Sequence, residues 1–373
     1  MAGRGVCVVL ELGSASIRGG LAGRHHPAFV LATTTPARVP GDLRLAYLEL
    51  LTRLFTAHLH VRPKECQVVV VEKVTAARVE REHVMSVLLK DLQVQAVTMQ
   101  IDLCMSLLAN GSADMTGLVI DIGHTETRMM AVAMGRPLQQ TLRIVGIGVA
   151  HALEAFRVSL LEHLGQPKEA GDGAGRDEIR ALFEKVVCAR PPDGQGVQVS
   201  PKQWLNGGKA FDLPASLRSI GAQTLIHGHT PAGAQQGFVQ VLHAQGLAGA
   251  LASCAAACNH DVRRACTGNV VFSGGGAMIP QLAVELCDAA SAIAAAPAAS
   301  VTAPRFVASD SAFGADAMAW TGASLFATLK SSQARFVGVA AQGGENMPLP
   351  DWQSLHPDDW TFCSLSLSLS PSP

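Results

Sequence analysis

Two stretches of the sequence share one order of residues, and this order restricts the fold more than any other feature. Residues 8–20, VVLELGSASIRGG, consist of an apolar strand, an acid (Glu11), a glycine-containing turn and a second strand. Residues 117–130, GLVIDIGHTETRMM, repeat that order around Asp121. A repeated unit of this kind indicates an internal duplication. An acid at the end of an apolar strand costs free energy unless something binds it, so both hairpins are candidate binding sites.

The order of the predicted elements indicates an α/β fold. Apolar residues recur at helical spacing in residues 45–60 and 79–92, whereas residues 66–74, CQVVVVEKV, are typical of a buried strand in a parallel sheet. Further helices are expected over residues 103–110, 149–164, 179–188, 246–258, 260–266 and 315–329. Residues 143–148 are expected to form a turn, and residues 190–237 show no clear period. Strands that alternate with helices in this way form α/β domains.

The composition argues against several classes of protein. A chain of 373 residues, 48% of them apolar, has room for two domains and a sizeable core. The formal net charge of −1 gives no reason to expect nucleic acid or an anionic membrane as a partner. The apolar run over residues 246–258 is too short and too rich in alanine and glycine to span a membrane. We therefore expect a cytoplasmic protein with no nucleic-acid partner and no membrane insertion.

The cysteines are expected to be reduced thiols. The chain has nine of them, with no CxxC pair and no secretory signal before them. Cys254, Cys258, His260 and Cys266 lie close enough in sequence to be considered as a metal site. Their spacing does not match structural zinc sites, and Cys254 and Cys258 stand one helical turn apart in an alanine-rich helix. Packing as small apolar residues is the better interpretation.

Three turns built from small residues each follow an apolar strand. They are Gly13-Ser14-Ala15, Gly123-His124-Thr125 and Gly274-Gly275-Gly276. The first two can offer backbone N–H groups to phosphate oxygens. The third is expected to open a helix, which adds the positive end of a helix dipole and bare backbone for a nucleoside to lie against. One such turn alone is more often an ordinary tight turn, but the three in this order predict a nucleotide site.

The two acids at the strand ends fit the same site. Carboxylates lie near phosphates when Mg²⁺ and its waters separate them, so Glu11 and Asp121 predict a metal ion held through water. Arg18, on the second strand of the first hairpin, is expected to neutralise a β-phosphate.

Together these motifs resemble those of the actin family. ELGSASIRGGLAG and GLVIDIGHTETR are similar to its two phosphate hairpins, FSGGGAMIP to its adenosine turn, and residues 319–344 to its C-terminal helices. The resemblance is weak over residues 165–237. It implies an actin-like α/β fold of duplicated ribonuclease-H-like domains, with ATP or ADP and Mg²⁺ in a central cleft. The nucleotide-binding residues that it implies are Gly13, Ser14, Ala15, Arg18, Gly123, His124, Thr125, Glu184, Gly274, Gly275, Gly276 and Met278.

The resemblance also implies domain boundaries. The first actin-like domain is expected over residues 1–111 and 316–362, and the second over residues 112–315. A peripheral subdomain is expected within the second domain, at residues 157–266. Residues 363–373, CSLSLSLSPSP, are biased in composition and are expected to be a disordered tail.

Several positions depart from the family pattern. Glu11 stands where the family has Asp, and His124 stands where it has a further Asp near the metal. The water-activating Gln of the family aligns near Asp102, and its partner His aligns with Arg128. Phe183-Glu184 replaces the Lys-Glu pair that contacts adenine. Because water-orienting groups must be placed closely to work, we expect very slow ATP hydrolysis or none, and no enzyme function.

A deletion is the departure that bears most on function. In actin, the first hairpin is followed by a subdomain whose loop docks into the next filament subunit. In this chain only residues 35–44 stand at that place in the sequence. The family branch with this truncation ends the actin-like filament of dynactin at its pointed end. LPDWQSL, residues 349–355, resembles that branch's C-terminal motif and makes Trp352 a candidate partner-binding residue. The resemblance implies a structural cap in cytoplasm and cytoskeleton that supports dynein- and microtubule-based transport. Its partners would be a filament subunit and the pointed-end adaptor subunits of dynactin.

Two other functions fit the same motifs. The turns belong to the whole superfamily, so a sugar kinase or chaperone-type ATPase with Asp102 as catalytic residue is one alternative. Another actin-related protein, such as a chromatin-remodelling subunit, is the other, although those tend to carry insertions where this chain has a deletion.

Overall fold

The computed structural model describes residues 6–33, 43–112, 114–167, 174–191, 196–200, 208–228, 246–296, 304–329, 332 and 336–338. In chain order, the elements up to the second hairpin are β1 (Val6–Leu12), β2 (Ser16–Leu21), β3 (Phe29–Ala32), α1 (Leu43–Arg53), β4 (Cys66–Glu72), α2 (Arg78–Ser86), β5 (Ala96–Ile101), α3 (Asp102–Ala109), β6 (Gly117–Ile122), β7 (Thr127–Ala133) and β8 (Arg136–Pro137). The remainder are β9 (Arg143–Val145), α4 (Val149–His163), α5 (Ala174–Val186), β10 (Val197–Val199), β11 (Phe211–Leu213), α6 (Ala215–His227), α7 (Gly246–Ala256), α8 (His260–Thr267), β12 (Val270–Ser273), α9 (Leu282–Ala295), α10 (Met318–Thr328) and β13 (Val337–Gly338).

Two compact units make up the fold. The first comprises residues 1–119, 132–137 and 310–373, and the second comprises residues 120–131 and 138–309. The domain boundaries expected from the sequence stay predictions. Most of the deletion expected at residues 35–44 lies outside the described residues, as do Trp352 and the tail over residues 363–373. Within the described part of the chain, no helix is long and apolar enough to cross a membrane.

The first unit is built on a six-stranded sheet with the order β13-β5-β4-β1-β2-β3. Strands β1, β4 and β5 are parallel, and consecutive Val and Leu side chains of β1 and β4 are buried, as expected for a sheet covered on both faces. Strands β1, β2 and β3 form an antiparallel meander in which Glu11 stands opposite Arg18. Helix α10 packs on α3, and its fully buried Trp320 donates a 3.1 Å hydrogen bond to the Val9 carbonyl.

The second unit contains the second hairpin. Strands β12, β6, β7 and β8 lie side by side in a five-stranded sheet, and β9 also pairs with β7. Helices α4 and α6 pack against each other, and α7 packs against α6 and α9. Cys254 and Cys258 are buried on or next to α7, where the Cys258 thiol donates to the Cys254 carbonyl. Cys266 is fully buried on α8. These thiols therefore pack as the sequence predicted.

Two expectations about local structure were wrong, and one stretch without a prediction proved to contain a helix. Residues 143–148 contain β9, not only a turn, because Arg143, Ile144 and Val145 find a partner strand in β7. Residues 190–237, for which the sequence showed no clear period, contain a helix, α6, in which Gly221 lies close to Ala152 of α4. The glycine triplet does not open an α-helix directly: residues 275–278 form a 3-10 turn, and α9 begins only at Leu282.

The helix ends also differ from the prediction in one recurring way. The helix expected over residues 45–60 is α1 continued by a wider π-helical segment, Leu54–Leu59. The helix expected over residues 79–92 is α2 continued by a second π-helical segment, Val87–Asp91. The apolar face is continuous in both, so Leu54, Phe55, Val87 and Leu88 remain fully buried.

Candidate nucleotide-binding hairpins

The first hairpin joins β1 to β2 through a tight turn in the first unit. The Gly13 N–H donates to the Ser16 carbonyl at 3.1 Å, and a Cβ at position 13 would lie 2.5 Å from that oxygen, so only glycine fits. Thr33 fixes the turn by donating its hydroxyl to the Gly13 carbonyl at 2.9 Å. Ser14 and Ala15 are exposed at the tip, as the predicted phosphate-binding role requires.

An ion pair occupies the end of β1. Arg18 Nη1 lies 2.8 Å from Glu11 Oε1, and both side chains are largely buried. The two residues stand opposite each other in the antiparallel ladder, which explains why they meet. Arg18, which the sequence assigned to a phosphate, therefore already contacts the acid that the sequence assigned to a metal.

The second hairpin has the same construction in the second unit. The Gly123 N–H donates to the Glu126 carbonyl at 3.0 Å, as Gly13 does to Ser16. Asp121 pairs with Arg128 Nη2, and seven residues separate these partners, as they do Glu11 and Arg18. Arg128 Nε also lies 3.6 Å from Glu126 Oε1. The internal duplication predicted from the sequence thus extends to the ion pairs of the hairpins.

Helix α4 begins directly against the second turn. Its first N–H groups donate back to the hairpin, from Val149 to the Gly123 carbonyl at 3.0 Å and from Ala150 to the His124 carbonyl at 2.8 Å. A Cβ on Gly148 would lie 2.6 Å from both of those carbonyl oxygens. Gly148 is therefore a residue of this site that the sequence reasoning missed. Its signal was a glycine at the start of a helix that directly follows a hairpin.

The glycine triplet lies against the second hairpin. Gly274 has φ +88°, and a Cβ there would lie 2.5 Å from both Asp121 Oδ1 and the Ile122 carbonyl oxygen. A Cβ on Gly275 would meet no described atom within 4 Å, and the Met278 side chain is 55% exposed. The second unit therefore brings together two of the three predicted turns, Gly123-His124-Thr125 and Gly274-Gly275-Gly276, because the triplet lies against Asp121 and Ile122. Thr125 is exposed.

The surroundings of His124 favour its neutral form. Burial lowers the pKa of its imidazole, and the nearby charges of Arg180 and His151 lower it further. Glu184, which the resemblance assigned to adenine, lies one helical turn from Arg180 and pairs with it at 3.1 Å on the exposed side of α5. Phe183 does not reach a ligand site, because it is buried in the core with its ring edge toward Phe156.

The two positions that align with catalytic residues are both engaged in local structure. Asp102 is buried at the start of α3, and its Oδ1 accepts a 2.8 Å hydrogen bond from the Leu103 N–H. A carboxylate in the first turn of a helix is stabilised by the helix dipole. Arg128 contacts Asp121 and cannot act as a general base, since a guanidinium does not give up its proton in proteins.

A cluster of charged and polar side chains at the end of β4 was not predicted. Arg81 donates to Glu72 at 2.7 Å, and the Tyr47 hydroxyl donates to Glu80 at 2.5 Å. Burial raises the pKa of the Glu72 carboxyl, although Arg81 opposes this rise. These contacts join α1 and α2 to the end of β4, and they give the cluster a structural role.

A model of the actin family matches residues 46–167 and 192–339 of the chain. The chain belongs to the actin family. The matched ranges include the second hairpin and the glycine triplet, and the first hairpin lies before them. The fold predicted from the sequence is thereby confirmed. Actin-family proteins typically bind a nucleotide together with Mg²⁺. The phosphate-binding role of the two hairpins in this chain stays a prediction.

The residues at the hairpin ends do not fit a hydrated Mg²⁺ ion. Mg²⁺ keeps several of its waters and is held by one or two carboxylates. At Asp121, one oxygen contacts the Arg128 guanidinium and the other packs against Gly274. At Glu11, Oε1 contacts Arg18. The roles of Glu11 and Asp121 as metal-holding acids stay predictions, and these arginine contacts argue against them.

Proposed function

We propose that this protein is a non-catalytic, structural member of the actin family. It would cap the pointed end of the actin-like filament of dynactin and thereby support dynein- and microtubule-based transport. The observation that carries the proposal is the short connection between β3, which ends at Ala32, and α1, which begins at Leu43. In actin, which the sequence resembles, the subdomain whose loop docks into the next filament subunit lies at this point.

The short connection has a directional consequence. A subunit that lacks the docking loop can still bind a filament through its opposite end. It then offers little surface to a further subunit, so growth stops. The partners that we propose are therefore a subunit of the actin-like filament and the pointed-end adaptor subunits of dynactin, in cytoplasm and cytoskeleton.

The state of the two catalytic positions supports the non-enzymatic part of the proposal. Asp102 is bound to the start of α3, and Arg128 is bound to Asp121. Neither group is arranged to orient or deprotonate a water molecule. We propose that ATP or ADP acts as a structural ligand, which stabilises the folded chain because it binds only that state.

Affinity purification of a tagged full-length chain at low salt, followed by mass spectrometry, tests the proposal. We expect recovery of the filament subunit and the pointed-end adaptor subunits in a fixed ratio. Recovery of chromatin-remodelling subunits instead would support the second actin-related function. A chain that is recovered alone and turns over ATP rapidly, with loss of turnover in Asp102→Asn, would support the ATPase or kinase alternative.

A pair of tryptophan variants separates the partner contact from general effects of the C-terminal segment. Trp352→Ala should reduce recovery of the adaptor subunits if Trp352 contacts them. Trp360→Ala is the matched control, since it removes the same side chain eight positions later. Equal recovery with both variants would remove Trp352 from the proposed contact.

A further inference from the structure

We propose that Arg128 takes the place of the divalent cation in the second hairpin, so that nucleotide binding by this protein does not require Mg²⁺. The inference rests on the proposed binding of ATP or ADP. It goes beyond that proposal because it removes the cation on which nucleotide sites of this kind depend, and it assigns the cation's charge to a residue of the chain.

The position of Arg128 is the first argument. Its side chain is only 6% exposed, and it lies on β7 directly beside Asp121, whose side chain is 14% exposed. Asp121 ends β6 at the point where the sequence predicted a metal held through water. The guanidinium therefore compensates the carboxylate that would otherwise attract the cation.

The second argument concerns the space around Asp121. The guanidinium contacts Oδ2, and Gly274 packs against Oδ1, where even a Cβ atom would be only 2.5 Å away. A hydrated Mg²⁺ ion needs a water molecule next to a carboxylate oxygen. The guanidinium on one oxygen of Asp121 and the Gly274 backbone beside the other therefore restrict the room for a water-bound ion.

The third argument is the balance of charge. Arg128 and Asp121 carry opposite unit charges, so the pair attracts a further cation weakly. A divalent ion placed beside the pair would be repelled by the guanidinium at short distance in a largely buried place, where such repulsion is strong. A phosphate group is attracted by the guanidinium and repelled by Asp121, so the pair favours phosphate only through the directed N–H donors of an always-charged guanidinium.

The same arrangement occurs independently in the first hairpin. Arg18 lies 2.8 Å from Glu11 and stands opposite it in the ladder between β1 and β2. Each duplicated hairpin thus carries its own permanent cation at the acid that ends its first strand. An acid–arginine pair is therefore a shared feature of both hairpins.

Titration of the full-length chain with ATP, followed by calorimetry, tests the inference. Binding is measured once with excess Mg²⁺ and once with excess EDTA. We expect the two dissociation constants to agree within about threefold. Binding that is more than about tenfold tighter with Mg²⁺ would overturn the inference but leave the proposed nucleotide binding intact. Absence of binding under both conditions would overturn both.

Arg128→His is the informative variant. It removes the permanent charge and leaves Asp121 to attract a cation, so ATP binding should become at least about tenfold tighter with Mg²⁺ than with EDTA. Arg136→His, an exposed arginine on β8, is the matched control and should behave as the unmodified chain. Thermal unfolding of each variant shows whether it has folded. A folded Arg128→His variant that binds ATP equally well with Mg²⁺ and with EDTA would contradict the inference.

Asp121→Asn gives an opposite result under the two models and does not depend on the first variant. If Arg128 replaces the cation, removal of the Asp121 charge frees the guanidinium for phosphate, and ATP binds more tightly in Mg²⁺ as well as in EDTA. If Asp121 holds Mg²⁺, the same change weakens binding in Mg²⁺. The direction of the change therefore decides between Arg128 and a metal ion.

Discussion

At the scale of single residues, two acid–arginine pairs define the hairpins. Loss of one partner should lower the free energy of unfolding strongly, because the other partner then stays as an uncompensated buried charge. The pairs on the surface of the same chain, such as Arg78 with Glu82, are screened by water and contribute little.

This difference predicts unequal effects of removing arginines. Arg128→Met should lower the free energy of unfolding by about 3 kcal/mol, because Asp121 then stays largely buried without its partner. Arg78→Met, the matched control, removes a 61% exposed side chain from a surface pair and should cost about 0.5 kcal/mol or less. Urea denaturation measures both. A double variant with Asp121→Asn should recover part of the loss, and no recovery would contradict the explanation by buried charge.

A second prediction at this scale concerns His124. Burial and the charges of Arg180 and His151 lower its pKa below the ordinary 6.5, so folding favours the neutral ring. Its contribution to stability is therefore complete above pH 6.5 and is lost as the pH falls below that value toward the lowered pKa. NMR titration should show the lowered pKa directly.

The variant Arg180→Gln tests the electrostatic part of that shift. It should raise the pKa of His124 part of the way toward 6.5, while burial keeps the remainder of the shift. Arg190→Gln, which removes an equally exposed arginine that pairs with Glu285, should leave it unchanged. An equal rise in both variants would show that Arg180 has no specific effect on His124.

At the scale of elements, close helix contacts hold the first unit together. Helix α10 crosses α3 at Gly322, where a Cβ would overlap the carbonyl group of Met105. Glycine is needed there for the approach of the two backbones, while Trp320 on the same helix reaches the Val9 carbonyl on β1.

Gly322→Ala should therefore separate α3 from α10. We expect the free energy of unfolding to fall by about 2 kcal/mol, the usual cost of a forced shift in a packed core. At Gly146, a Cβ would meet no described atom within 4 Å, so Gly146→Ala serves as the control and should change stability by about 0.5 kcal/mol or less. Equal effects in thermal or urea unfolding would contradict the role assigned to the helix crossing.

The sequence predicted elements whose signals are local and missed those that depend on tertiary contacts. The hairpins around Glu11 and Asp121 were predictable because a run of apolar residues, an acid and a glycine turn lie within a few positions of one another. Strand β9 and helix α6 were not, since β9 depends on β7 and α6 depends on its contact with α4. At the site, the glycine turns were predictable. The arginine pairs were missed because Arg18 was assigned to a ligand although it stands opposite Glu11 in the ladder.

At the scale of the whole molecule, the proposed function makes assembly the property to measure. Filament growth requires a docking surface at each end of a subunit, and the short connection between Ala32 and Leu43 leaves no length for the loop at one end. The chain should bind to a filament but should not build one.

The full-length chain should therefore remain a single-chain species in sedimentation experiments with ATP, over the range of concentrations in which an actin-like filament subunit polymerises. Added in small amounts to that filament subunit, it should shorten the filaments, because each copy blocks one end from further addition. Heat-unfolded protein at equal concentration is the control for nonspecific loss of filament subunits. Concentration-dependent polymers of the chain alone would contradict the cap, since they require the second docking surface that the short connection excludes.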